Sequence, residues 1–159
     1  MRKFLLFCVC SVLENPQICY TYDEREAGKG ANEVISFLPN FLANRNIPTP
    51  DIRIPADNCA GQNKNKSVIW YLLWRVITKR LKRVELKFMI KGHNHRIVDS
   101  GIGQTKRQLR RSDVFGLEHW EEVINQSAAV YQAKIVNGND VYDWKSGLSQ
   151  YFRELKDPQ

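Results

Sequence analysis

Length, composition and charge limit the classes to which this chain can belong. Its 159 residues are the length of one ordinary domain with a single core. Hydrophobic residues make up 43% and charged residues 26%, as in globular proteins, so a fibrous repeat and a wholly disordered chain are excluded. The net charge of +7 favours a polyanionic partner, either nucleic acid or an acidic membrane surface.

The N-terminal segment supports two interpretations. Met1-Arg2-Lys3 followed by the apolar residues 4–13 is similar to the charged and hydrophobic parts of a secretory signal, which would make the protein secreted. No small-residue cleavage pattern follows, and a run of about ten residues is too short to span a bilayer. Because Phe, Val and Cys favour β-structure, the run predicts a buried strand, and we expect no stable membrane association.

The four cysteines, Cys8, Cys10, Cys19 and Cys59, show no spacing typical of a structural zinc site. Their even number would allow two disulfides in an oxidising compartment. Because a chain of this length can build a core without covalent cross-links, we expect reduced and mostly buried thiols.

The rest of the chain alternates between strand and helix patterns. Residues 17–22 alternate like a strand after a turn at 14–16, so they predict a hairpin with the first strand. In order, the sequence then predicts a helix at 31–43 with a kink at Pro39, a strand at 51–56, a helix at 67–83 capped by Ser67, a strand at 84–90, and helices at 117–131 and 144–155. This order is typical of an α/β fold, in which helices pack on a sheet.

Two aspartates follow predicted strands. Asp57 comes directly after the strand at 51–56, and Asp99 comes shortly after the strand at 84–90. Open α/β sheets place their sites at such strand ends. Carboxylate oxygens suit Mg²⁺ or Mn²⁺, and two such ions can activate a water or a 3′-hydroxyl for phosphodiester chemistry. An aspartate at a strand end is more often structural or solvated, so this spacing alone is a weak signal.

A longer string of residues contains both aspartates. It runs Asp57-Asn58-Cys59-Ala60-Gly61-Gln62-Asn63-Lys64-Asn65, continues after a helix through Gly92-His93-Asn94-His95, and ends at Asp99. Together with Tyr22-Asp23-Glu24 and the segment 28–34, this string resembles the DDE-type transposases and integrases found in transposon-derived proteins. The resemblance implies a ribonuclease-H-like fold in which Asp57 and Asp99 are the second and third metal-binding carboxylates, with His93 as a polar group facing the catalytic site.

The resemblance covers residues 1–125 and divides the chain. It implies a partial ribonuclease-H-like domain at 1–125, with a mixed sheet flanked by helices, and a helical C-terminal extension at 126–159. In this family the first carboxylate lies on the opening strand, upstream of the hairpin, and the present chain begins at the hairpin. Asp23 and Glu24 lie at the far end of the second strand, where they could not replace it. We therefore expect a domain that is incomplete at its N-terminus and whose DNA cleavage and strand transfer are weak or absent.

Two other functions remain open. Gly92-His93-Asn94-His95 with Asp57-Asn58 is similar to metallophosphoesterases, in which histidines and aspartates hold two metal ions, but an early Asp-x-His pair is lacking. The missing first carboxylate favours instead a non-enzymatic binding module, or a nucleic-acid-binding remnant without activity.

Basic residues accompany these motifs. Lys64 and Lys66 lie beside Asp57, where they would reach a nucleic-acid backbone. Further clusters, which bind phosphates through counterion release or form a solvated face, are Lys79, Arg80, Lys82 and Arg83, then Lys106, Arg107, Arg110 and Arg111. Either cluster also matches a nuclear-import signal, so we expect DNA as the partner and the nucleus as the location. Core packing is expected, rather than stacking on bases, for Trp120, Tyr131, Tyr142, Trp144, Tyr151 and Phe152.

Overall fold

The computed structural model describes residues 3–11, 16–43, 51–89 and 97–153. In these residues the chain is a mixed α/β protein, which confirms the predicted class. Its strands are β1 (Phe4–Val9), β2 (Gln17–Asp23), β3 (Asp51–Ala56), β4 (Arg83–Phe88) and β5 (Tyr131–Ile135). Its α-helices are α1 (Ala31–Ala43), α2 (Lys66–Ile77), α3 (Ile97–Leu109), α4 (Leu117–Ser127) and α5 (Trp144–Ser149).

The chain is organised as two compact units. Unit 1 comprises residues 1–28 and 92–140, and unit 2 comprises residues 29–91 and 141–159. Each unit is therefore assembled from two separate stretches of sequence. The predicted boundary after residue 125 falls inside α4, and the division into a domain and an extension stays a prediction.

Unit 1 contains a three-stranded sheet in the order β1-β2-β5. β1 and β2 are antiparallel, with Phe4 opposite Asp23, which confirms the predicted hairpin and the strand interpretation of the first apolar run. β5 lies parallel to β2 on its other side. Helix α4 packs against β5 and β2, and α3 packs against α4. Their shared core consists of Cys19, Ile124, Tyr131 and Ala133.

Strand β5 was not predicted, because the sequence indicates a helix over 117–131. That prediction is wrong at its end, since α4 stops at Ser127. Tyr131 and Ala133 are buried, and Gln132 and Lys134, which alternate with them, are exposed, which is the period of a strand. Asn125 of α4 accepts a hydrogen bond from the Ala133 amide (2.7 Å) and so fixes the strand beside the helix.

The cysteines differ from the expectation of reduced, buried thiols. Cys8 and Cys19 lie directly opposite each other across β1 and β2 and are joined by a disulfide. Directly opposed side chains on one face of an antiparallel pair are close enough to interact, which sequence spacing alone does not reveal. Cys10 is half-buried and Cys59 is exposed.

Unit 2 combines a βαβ unit with two further helices. β3 and β4 are parallel, with Asp51 opposite Arg83 and Ala56 opposite Phe88, and α2 connects them. Helices α1, α2 and α5 pack on one another. The described strands thus form two sheets, and the single mixed sheet that the sequence predicts is not observed among them. Strands β3 and β4 bond only to each other in the described residues.

Helix α2 starts and ends earlier than the sequence predicts. Its cap is Asn65, whose side chain accepts from the Val68 amide (3.1 Å), whereas Ser67 is buried inside the first turn. After the C-cap residue Thr78 the chain turns through Lys79, which has a positive φ of 58°.

The hydrogen bonds of this turn are those of a Schellman motif. The Lys79 amide donates to the Val76 carbonyl (3.0 Å) and the Arg80 amide donates to the Arg75 carbonyl (2.9 Å). Glycine is the residue that usually occupies the position of Lys79, because a side chain there is strained. We expect Lys79→Gly to raise the free energy of unfolding by about 0.5–1 kcal/mol in urea denaturation. Lys79→Ala removes the same charge but keeps the strain, and an equal gain in that variant would contradict the assignment.

Candidate functional site

Asp57 lies where the sequence predicts, at the carboxyl end of β3. β3 and β4 end at the same edge of their sheet, where Ala56 pairs with Phe88 and the Met89 amide donates to the Ala56 carbonyl (3.1 Å). The carboxylate is exposed to solvent at this edge. A parallel strand end of this kind is where α/β proteins bind ligands.

A network of hydrogen bonds shapes the loop that follows. Asp57 Oδ1 accepts from Asn63 Nδ2 (2.6 Å) and from the Cys59 amide (3.2 Å). The Cys59 carbonyl accepts from the amides of Gln62, Asn63 and Lys64. Asn65 then donates to the Gln62 carbonyl (2.7 Å) while its oxygen caps α2. The string at 57–65 is therefore a structural unit, and sequence reasoning missed that Asn63 holds Asp57.

These contacts leave one oxygen of Asp57 open. Oδ2 accepts no hydrogen bond from any described residue, while Oδ1 is held from two sides. Asp57 also takes no part in an ion pair with the residues that the structure describes. A carboxylate that is fixed through one oxygen and exposed through the other can bind a cation without reorganising.

Glu85, on the exposed side of the same sheet, is engaged differently. Its two oxygens contact Arg53 Nε (2.9 Å) on β3 and Lys87 Nζ (3.2 Å) on β4. The hydrogen bond from Lys87, with the charges of Lys87 and Arg53, holds the pKa of Glu85 below its ordinary value. Because two cations already neutralise it, Glu85 does not compete with Asp57 as a ligand.

Two predicted phosphate-binding lysines border the Asp57 loop. Lys64 lies in the loop and places its ammonium 5.7 Å from the centre of the Phe88 ring, at the end of β4. Lys66 opens α2 and lies 5.5 Å from the centre of the Trp70 ring. Both side chains are exposed, so the aromatic faces orient them while leaving them accessible to an anion.

The structure describes the other predicted members of the site, His93 and Asp99, only in part. His93 lies outside the described residues. Asp99 lies in the first turn of α3 rather than in a loop after a strand, and its side chain is outside the described part. Asp57 belongs to unit 2 and Asp99 to unit 1, so their pairing at one cation stays a prediction. In the described residues there is no group of three histidine, cysteine or carboxylate side chains able to hold a metal ion.

Asp23, which the sequence analysis sets aside as a replacement ligand, binds an arginine. It is buried at the end of β2, and Arg25 binds both of its oxygens, with Nε at 3.0 Å and Nη2 at 2.9 Å. This bidentate contact raises the pKa of Arg25. The Asp23 carboxylate therefore holds the turn after the hairpin.

The predicted phosphate-binding cluster at 106–111 lies in unit 1. Lys106 and Arg107 are in the last turn of α3, and Arg110 and Arg111 follow in the turn after it. All four side chains are exposed, and none forms an ion pair with a described residue. These residues share one corner of the fold, apart in sequence from Lys64 and Lys66.

The aromatic residues of the C-terminal third divide into two groups. Tyr131 and Trp144 pack as predicted, with Tyr131 in the core of unit 1 and Trp144 5.0 Å from the Tyr71 ring in unit 2. For Tyr142 and Tyr151 the core prediction is wrong, because they are 62% and 79% exposed.

Comparisons with known proteins show one sequence family that the chain matches. Residues 8–159 match the sequence family described as a domain of unknown function, DUF7869. No curated protein matches the chain, and no solved structure matches it. No helix within the described ranges is long and apolar enough to cross a bilayer.

Proposed function

We propose that this chain, which belongs to the family of the domain of unknown function DUF7869, binds a divalent cation at Asp57 as part of a transposase- or integrase-like domain that acts on DNA. One observation carries the proposal. Asp57 sits at the carboxyl end of a parallel strand pair, with one oxygen fixed by Asn63 and Cys59 and the other open. Mg²⁺ is commonly held by one or two carboxylates together with water and the phosphates of the substrate.

The order of elements supports a ribonuclease-H-like arrangement. An antiparallel hairpin is followed by a helix and then by a parallel β3-α2-β4 unit. This is the order expected in such a domain after its opening strand. Asp57 falls on the strand end that carries the second carboxylate of the resemblance, and Asp99 and His93 remain the proposed further members.

The chemistry follows from the residues around Asp57. The carboxylate would hold Mg²⁺ or Mn²⁺, and that ion would activate a water or a 3′-hydroxyl and stabilise the leaving oxygen. Lys64 and Lys66 would hold the phosphate backbone, because they flank the loop and are exposed. Asn63 keeps the Asp57 carboxylate in one orientation through its 2.6 Å hydrogen bond.

Calorimetric titration with Mn²⁺ tests the proposal. We expect Asp57→Asn, which keeps the shape of the side chain but removes its charge, to weaken Mn²⁺ binding by about 100-fold or more, and Asn63→Ala to weaken it by about tenfold. Asp51→Asn is the matched control, because Asp51 is exposed at the opposite end of the same strand. We expect this variant to bind Mn²⁺ with the affinity of the wild type.

Three outcomes discriminate the candidate functions. Equal Mn²⁺ affinity in wild type and Asp57→Asn overturns the proposal and leaves a non-enzymatic nucleic-acid-binding protein, which the exposed cations at Lys106, Arg107, Arg110 and Arg111 favour. Binding of Zn²⁺ that requires His93 and His95 instead supports a metallophosphoesterase. Weak plasmid nicking in Mn²⁺ that disappears in Asp57→Asn supports the proposed activity.

A further inference from the structure

Phe115 is the most exposed of the large apolar side chains described, at 87%. It directly precedes Gly116, the N-cap of α4. An apolar residue at this position commonly packs on the fourth helical residue, which here is Trp120. Trp120 instead packs on Phe4, 5.6 Å between ring centres, and on the core of unit 1. The Phe115 ring is therefore not used to stabilise the helix start.

Among the described residues, its aromatic neighbour is His119. The two rings are nearly parallel, at an angle of 16°, with their centres 5.8 Å apart. Because Phe115 is almost fully exposed, this stack presents a flat ring to solvent. An exposed aromatic face of this kind is a group on which a nucleic-acid base can stack.

The same corner carries concentrated positive charge. Lys106, Arg107, Arg110 and Arg111 precede Phe115, and Asp113 is the one acidic residue between 106 and 115. Backbone hydrogen bonds hold the turn after α3: the Arg110 amide donates to the Lys106 carbonyl (3.2 Å) and the Arg111 amide donates to the Gln108 carbonyl (2.9 Å). Ser112 adds a hydrogen bond from its hydroxyl to the Gln108 carbonyl (3.1 Å).

We propose that this α3–α4 corner binds an unpaired strand of nucleic acid, with a base stacked on Phe115 and the phosphates bound by the four cations. Charge complementarity selects a polyanion, and the exposed ring selects one whose bases are not buried in a duplex. Stacking tolerates any base, so the corner binds without sequence preference. The corner lies wholly within unit 1 and does not require a metal at Asp57.

Fluorescence anisotropy with labelled oligo-dT of roughly 20 nucleotides, longer than a typical binding site, tests the proposal on the full chain in EDTA. A matching oligo-rU shows whether the corner prefers DNA or RNA. We expect Phe115→Ala to weaken binding of both by about fivefold or more, and Phe115→Trp to preserve it. Tyr151→Ala removes an exposed ring (79%) from unit 2 and should have no effect.

The salt dependence of the affinity separates the contribution of the cations from that of stacking on Phe115. Between about 50 and about 200 mM salt, Arg110→Gln with Arg111→Gln should lower the slope of log affinity against log salt by about 1.4, whereas Phe115→Ala should leave the slope unchanged. Tighter binding to a duplex of the same length overturns the proposal, as does full affinity in Phe115→Ala. No binding to either oligonucleotide also overturns it and points to a protein partner for the ring. Because oligo-dT binding is measured in EDTA, without a cation at Asp57, this result and the Mn²⁺ titration can fail independently.

Discussion

Gly101→Ala is expected to lower the free energy of unfolding by about 3 kcal/mol or more in urea denaturation followed by circular dichroism. Gly101 is buried in α3, and a Cβ built on it would lie 0.7 Å from the hydroxyl oxygen and 2.0 Å from Cζ of Tyr131. Tyr131 cannot swing away freely, because it is 93% buried in the core of unit 1, at the start of β5. The helix and the strand would have to separate to admit one methyl group.

Gly103→Ala is the matched control. Gly103 lies in the same helix, and a Cβ there would meet no atom within 4 Å. Alanine has a higher helix propensity than glycine, so we expect this variant to have a free energy of unfolding about 0.5–1 kcal/mol higher than the wild type. If Gly101→Ala proves as stable as Gly103→Ala, then α3 does not pack on Tyr131 as the structure indicates.

Trp144→Ala is expected to lower the free energy of unfolding by about 2–3 kcal/mol, below the full cost of a core tryptophan because Trp144 is only half-buried. Its ring contacts Tyr71 at 5.0 Å and Trp74 at 6.0 Å between centres, and its Nε1 donates to Ser36 Oγ (3.2 Å). One side chain thus joins α5 to both α1 and α2. Urea denaturation followed by far-ultraviolet circular dichroism measures the loss.

Two further variants separate packing from hydrogen bonding at Trp144. Trp144→Phe keeps an aromatic ring near Tyr71 but loses the bond to Ser36, so we expect about 1 kcal/mol of destabilisation. Tyr151→Ala, at a 79% exposed ring, should change stability by less than about 0.5 kcal/mol. A Trp144→Ala variant as stable as Tyr151→Ala would show that α5 does not hold unit 2 together.

Local patterns predicted most of the elements of this fold. The apolar run 4–13 contains β1, and the alternation at 17–22 and the helical spacing at 31–43 correspond to β2 and α1, because each signal is a pattern among residues close together in the sequence. Strand β5 was missed because its partner β2 lies far away in the sequence, and helical spacing continues up to Tyr131. The early end of α2 was missed because Lys79 adopts a conformation that favours glycine.

The candidate site was predicted only in part. The position of Asp57 after a strand could be read from the turn-forming residues that follow it. The hydrogen bond from Asn63 could not, since it depends on how the loop 57–65 folds back. Phe115 was overlooked because one aromatic residue in a polar segment gives no periodic signal, and its exposure emerges only once Trp120 is seen to pack on Phe4 and the core instead.

The parallel pairing of β2 with β5 has a consequence for how the chain acquires its structure. Gln17 pairs with Tyr131, so the chain must be synthesised at least through residue 131 before this pairing can form. Non-local contacts of this kind slow folding, because the entropy of loop closure is lost before the contacts form. The first 90 residues, by contrast, already contain the complete β3-α2-β4 segment. On a ribosome this segment can therefore begin to order before β2 has paired with β5. A chain shortened before residue 131 would leave that edge of β2 unpaired and prone to aggregate.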